Sequence, residues 1–163
     1  GSSMAVTQGL THIAVSVPTG TLTAAWRSDF DDLYGKVFGW TEIDNGDRPG
    51  RFTVAIGRGC YLNVREREQP MICTEYEHFG MLVESGDDVE RLWARLDTAF
   101  DDIELGDVDR RQDGTCTFRF HHLLPMTMEI QYFPPGASDV SPRPWRRDVG
   151  LVAEPNDDPR SIT

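Results

Sequence analysis

The chain has 163 residues, 39% of them hydrophobic, with 16 Lys and Arg against 27 Asp and Glu. That length makes one domain the default and suffices to bury a core without disulfide or metal staples. A net charge of −11 disfavours nucleic-acid binding, because an acidic surface repels phosphate backbones, and no apolar run reaches the roughly 18 residues of a membrane span.

The three cysteines, Cys60, Cys73 and Cys116, are odd in number and form no CxxC pair. They argue against a disulfide framework and against a cysteine zinc site, and read as buried reduced thiols. With no charged-then-apolar leader, a soluble cytoplasmic protein is expected. Residues 1–9, opening on Gly-Ser-Ser-Met, read as a tag remnant and lead.

In chain order, residues 10–17 alternate Thr11, Ile13, Val15 and Val17 with His12, Ala14 and Ser16, the pattern of a half-buried strand. Pro18 and Gly20 end it. Residues 23–38 place Trp26, Phe30, Leu33, Tyr34, Val37 and Phe38 at helical spacing, with Gly39 as C-terminal cap. A turn cluster occupies 45–50. "RFTVAIG" and "CYLNVRE" then read as two strands joined at Arg58-Gly59. The order repeats in the second half. Residues 76–84 read as a strand, broken at Gly86-Asp87. Residues 88–100 carry the helical stripe Val89, Leu92, Trp93 and Leu96. "TCTFRFHHL" and "MTMEIQYF" form the closing strand pair, with Leu124-Pro125 between them. Each half is strand–helix–strand–strand–strand, with the second strand of each the weakest signal.

The halves align without a gap at a shift of 66 positions: His12 falls on His78, Phe52 on Phe118 and Asn63 on Glu129. Three unrelated pairs at one shift imply an internal duplication. The expectation is an α+β fold of two tandem βαβββ modules, about 10–68 and 75–134. Together they form one domain over 10–134, with a cupped mixed β-sheet and helices outside. Residues 135–163, rich in Pro, Asp and Arg, read as an extended tail.

Side chains alternate across a strand. His12 therefore shares a face with Ala14 and Ser16, and His78 with Gly80. Glu129 lies opposite Met128 and Ile130. All three polar residues point away from the helix-packed side, into a cup. A lone strand histidine is usually just hydrogen bonded, but a carboxylate inside an apolar strand needs a partner or a metal. Two imidazoles and one carboxylate suit a divalent ion with open coordination positions.

This arrangement resembles the vicinal oxygen chelate superfamily, which contains glyoxalase I, extradiol dioxygenases, methylmalonyl-CoA epimerase, fosfomycin-resistance enzymes and bleomycin-resistance binding proteins. The resemblance spans about residues 10–133 and includes the helix ending "DLYGKVFGW". It implies that His12, His78 and Glu129 are metal ligands. Where glyoxalase I and the epimerase carry Glu or Gln, this chain has Asn63, which is shorter and cannot act as a base. A three-ligand site therefore fits better, as in Fe(II) extradiol dioxygenases. Those enzymes usually carry a supporting, non-ligating His where Asn63 stands. His121 is nominated instead as general acid/base, Arg119 as holder of an anionic substrate group, and Asn63 and Tyr61 as substrate contacts. Trp26, Phe30 and Trp93 read as core.

The leading expectation is a metalloenzyme, an Fe(II) oxygenase acting on a small catechol-like phenol or hydroxy or keto acid. The alternatives are a lyase, isomerase or epimerase using Ni, Co, Mn or Zn, with Glu66, Glu68 or an outside base as substitute, and a metal-free drug-binding resistance protein. A homodimer with a small-molecule substrate is expected.

Overall fold

The computed structural model describes residues 6–7, 9–43 and 48–137. Part of the expected lead falls within it, while the expected tail lies outside the described residues beyond 137. The first module begins with β1 (His12–Pro18), whose Val15 and Val17 are buried. Thr23 starts α1 (Ala24–Phe30), its hydroxyl accepting the Trp26 N–H at 3.1 Å. The sequence predicts one helix over 23–38. Instead α1 stops at Phe30 and continues as a π-helical turn, Asp31–Gly35, in which the Lys36 N–H donates to the Asp31 carbonyl at 2.8 Å. A widened turn inserts a residue and re-aims the chain beyond it, and Phe30, Leu33 and Tyr34 all reach the core. β2 (Thr41–Glu42), β3 (Arg51–Gly57) and β4 (Cys60–Arg67) complete the module, with Gly59 at φ +65° in the β3–β4 turn.

The second module has β5 (His78–Leu82), shorter than the expected 76–84. It continues with α2 (Gly86–Ala99), whose Ser85 cap accepts the Asp88 N–H at 3.0 Å. The weakly signalled strand appears as two fragments, β6 (Glu104–Leu105) and β7 (Asp109–Arg110), both paired to β8. Between them the Gly106 N–H donates to the Arg119 carbonyl at 2.8 Å, and a Cβ on Gly106 would sit 3.1 Å from that oxygen. Glycine permits this close approach, which interrupts the ladder. β8 (Cys116–His121) and β9 (Thr127–Tyr132) close the module.

The strands form two mixed sheets, ordered β1-β4-β3-β2 and β5-β9-β8-β6, with β7 also on β8. β1 runs parallel to β4, as β5 does to β9. His12 pairs with Tyr61 and His78 with Thr127, Ala14 with Asn63 and Gly80 with Glu129, Phe52 with Val64 and Phe118 with Ile130. Each of these pairs in the second sheet repeats one in the first at the shift of 66 residues seen in the sequence. The duplication is therefore a duplication of register. The α+β two-module fold is as expected.

One apolar cluster spans both modules. The helical segment of the first module packs on the second sheet. Tyr34 donates its hydroxyl hydrogen to the His122 carbonyl at 2.7 Å, and the Phe38 and Phe120 rings stack 5.7 Å apart. The core side of each sheet thus turns toward shared interior, and the cup side turns away from it. Among the described residues no helix is long and apolar enough to cross a membrane.

Tyr34→Phe removes one of two donors to the His122 carbonyl, which keeps the Leu124 N–H at 2.7 Å. The variant is expected to lose about 1 kcal/mol in urea unfolding, and an unchanged midpoint would mean that this bond does not join the modules. Burial beside Phe100 lowers the pKa of His122 below its ordinary 6.5. The folded state then binds fewer protons than the unfolded chain, so stability is full above about pH 6.5 and declines as pH falls through the lowered value. His122→Phe is expected to flatten the decline between about pH 7 and pH 5; an identical pH profile would exclude His122 as its source.

Candidate metal centre

The cup face of the second sheet gathers three polar side chains from three strands. β9 contributes Glu129, which is 8% exposed between the buried Met128 and Ile130. β8 contributes Arg119, directly across from Glu129, and β5 contributes His78. Glu129 Oε2 lies 3.2 Å from His78 Nε2 and 3.3 Å from Arg119 Nε. Arg119 Nη2 lies 3.3 Å from the same imidazole nitrogen. On the other side of the ring, His78 Nδ1 is 2.5 Å from the Tyr76 carbonyl. A carbonyl only accepts, so Nδ1 carries a proton, and in the neutral ring Nε2, the nitrogen that faces Glu129 and Arg119, is the one with the lone pair.

An imidazole nitrogen and a carboxylate oxygen are two donors of the kind a divalent ion takes. A nitrogen and an oxygen each about 2.1 Å from one ion, roughly at right angles, lie about 3 Å apart. A backbone carbonyl fixing Nδ1–H is the support that metal-binding imidazoles use. The Arg119 guanidinium supplies positive charge to the same pair.

His12 stands elsewhere. It begins β1 in the first sheet, is exposed, and stacks on Tyr61 with ring centroids 4.9 Å apart. Among the described residues no group of three or more His, Cys, Asp or Glu is placed to hold a metal ion. Two of the three sequence-nominated ligands are brought together, and the third lies on the other sheet.

The remaining nominated residues divide between the two cups. His121 is half-buried, its Nδ1 3.8 Å from Glu104 on β6, an exposed and weak pair. Tyr61 and Asn63 line a cavity of about 480 Å³ in the first sheet. Asn63 Oδ1 accepts the Thr53 hydroxyl hydrogen at 2.8 Å. Glu66 points to the opposite side of β4, where it accepts the Leu22 N–H at 2.8 Å, and Glu68 is exposed. Trp26 and Phe30 are core as expected, whereas Trp93 is half-buried and donates to the Gly106 carbonyl. The cysteines are free thiols, and burial raises the pKa of each.

Sequence reasoning missed Arg48, Arg51 and Arg65, which line the same cavity as Asn63. Alternation along β3 and β4 could have found the last two, since Arg51 and Arg65 keep step with Thr53 and Asn63.

No protein-family model matches the chain, and no curated protein matches its sequence. Solved structures do. A glyoxalase-family protein from Bacillus anthracis is 17% identical with a TM-score of 0.58, covering 81% of this chain and 100% of its own. A variant of the fosfomycin resistance protein FosX from Listeria monocytogenes, complexed with Mn(II) and 1S,2S-dihydroxypropylphosphonic acid, is 17% identical with a TM-score of 0.60, covering 80% and 95%. Lactoylglutathione lyase from Agrobacterium tumefaciens is 14% identical with a TM-score of 0.56, covering 76% and 92%. This chain has the vicinal oxygen chelate fold that its sequence pattern resembles.

The hydrogen bond to Tyr76 predicts that His78, when neutral, is the Nδ1–H tautomer. Long-range proton–nitrogen NMR correlations above neutral pH read this directly, and an Nε2–H tautomer would show that the lone pair is not available to a metal.

Proposed function

We propose that this protein is a divalent-metal enzyme acting on a small oxygen-rich molecule, with an Fe(II) oxygenase as the first assignment. The observation that carries the reading is the pair of His78 Nε2 and Glu129 Oε2, 3.2 Å apart. His78 and Glu129 of one chain would hold the ion, and His12 of a second copy would complete the set. Support for two copies comes from the placement of His12 on the other sheet. The cup faces also turn away from the shared core, and β1 and β5 are edge strands among the described residues. A homodimer in a soluble, cytoplasmic setting belongs to this reading.

Bound there, a divalent ion would favour ionised oxygens of the substrate and, as Fe(II), supply the electrons for O2 chemistry. The residues of the chain do the rest. Glu129, itself buried, neutralises positive charge. Arg119, freed from the pair when the ion binds, offers its guanidinium to an anionic substrate oxygen. His121, on the same face of β8, accepts or returns the substrate proton.

Asn63 favours three protein ligands over four. Its ligating oxygen already accepts from Thr53, and it offers no basic group. Of the substitute bases a lyase or epimerase could use, Glu66 is turned away and accepts the Leu22 N–H, while Glu68 is exposed. The non-redox alternative keeps one support, a FosX of this fold complexed with Mn(II), and Ni, Co or Zn would suit the same donors. A metal-free binding protein is favoured by a different observation. Arg119 contacts both Glu129 and His78, so a guanidinium can balance the buried carboxylate unaided.

Metal analysis of anaerobically purified protein tests the reading. His78→Ala and Glu129→Ala are each expected to lose bound metal and activity together while keeping their circular dichroism; retained metal would refute the ligand set. His12→Ala mixed with Glu129→Ala is expected to regain about a quarter of wild-type metal, because half of randomly reassorted dimers rebuild one of two sites; no recovery would refute the shared site. Arg119→Gln removes a competing cation and is expected to tighten Mn(II) binding. Unchanged affinity, with no metal found in the wild type, would favour the binding protein.

A further inference from the structure

We propose that the cup of the first sheet binds a small doubly charged oxyanion, a phosphate, phosphonate or dicarboxylate group. The site needs no metal and stands apart from the His78–Glu129 pair. Although the chain carries a net charge of −11, Arg48, Arg51 and Arg65 converge on one cavity, and no carboxylate lines it among the described residues. Arg51 and Arg65 face each other in register across β3 and β4. Like charges directly opposed on neighbouring strands are destabilising, so this placement costs stability until an anion lies between them.

Five arginines elsewhere, Arg27, Arg91, Arg110, Arg111 and Arg119, each have a carboxylate within 4.0 Å. Among the described residues Arg48, Arg51 and Arg65 have none, as is also true of Arg67 and Arg95, but only these three converge on one cavity. Arg51 is nonetheless held in place: the Arg27 guanidinium donates to its backbone carbonyl at 2.7 Å while pairing with Glu42 at 2.9 Å. The wall between the arginines also presents donors. Because Asn63 Oδ1 accepts from Thr53, the Asn63 amide hydrogens remain to be given, and Tyr61 lines the same cavity. Ala14 and Ile43 supply apolar lining. Guanidinium forks and an amide beside apolar lining match a planar or tetrahedral dianion with a short organic stem, and about 480 Å³ lies in the range of small-molecule sites.

The test is calorimetry and thermal unfolding of the EDTA-treated full chain with inorganic phosphate, methylphosphonate and malonate. One anion per chain is expected to bind saturably, more weakly as salt is raised. Preference for malonate would assign the site to carboxylates, and preference for the other two to phosphoryl or phosphonyl groups. Arg51→Gln and Arg65→Gln are each expected to weaken binding roughly tenfold or more, as loss of a charged hydrogen-bonding group does. In anion-free buffer each is also expected to raise the melting temperature, since one of two opposed charges is gone; a residue needed only for the fold would lower it. No saturable binding of any probe, unchanged binding in both variants, or a lowered melting temperature would overturn the proposal. His78→Ala and Glu129→Ala are expected to bind the anions normally, so failure of the metal assignment leaves this result intact, and the reverse.

Discussion

Glu129 is a carboxylate in the middle of an apolar strand, flanked by Met128 and Ile130 at 1% exposure and itself only 8% exposed. Ionised and alone, it would cost several kcal/mol to bury. What makes it tolerable is the sheet itself. Parallel pairing with β5 delivers an imidazole, and antiparallel pairing with β8 delivers a guanidinium, both to Oε2. With His78 neutral it is the guanidinium that balances the charge, and it does so only when β8 and β9 are in register. A one-residue slip of any strand would carry its side chain to the opposite face. The site is thus a consequence of strand order and register, and the shared aromatic core, with Tyr34 and Phe38 against Phe120, is what holds the second sheet against the first module.

Much of this was legible in the chain. Alternation assigned the cup face and core face of each long strand correctly, because a two-residue period survives whatever the strand packs against. The shift of 66 residues revealed the two modules, because duplicated register preserves the spacing between matched side chains. Less was legible where geometry is decided by neighbours. The π-helical turn at Asp31–Gly35 has no distinct pattern, since α and π spacing differ by one residue and tertiary packing chooses between them. The split of β6 from β7 depends on contact between Gly106 and a carbonyl on another strand. The separation of His12 from His78 could not be read at all. Alternation tells which face a residue occupies, not which sheets confront each other.

The two copies share a backbone and differ in chemistry at matched positions. Where the second sheet has Glu129, the first has Asn63, tied to Thr53. Where the second has Arg119 on that carboxylate, the first has Thr53, and where the first has the opposed Arg51 and Arg65, the second has Thr117 and Gln131. On the two proposals taken together, one cup is built to take a cation and the other an anion. The same duplicated frame thereby carries two separate cups, each specialised by a few cup-facing side chains.

The most direct measurement is anomalous diffraction from crystals of Mn(II)-loaded protein. The account predicts a peak bound by His78 Nε2 and the Glu129 carboxylate, with the His12 imidazole of a second chain as the third ligand and Arg119 displaced from the pair. An absence of density there, with Arg119 still bridging Glu129 and His78, would contradict it.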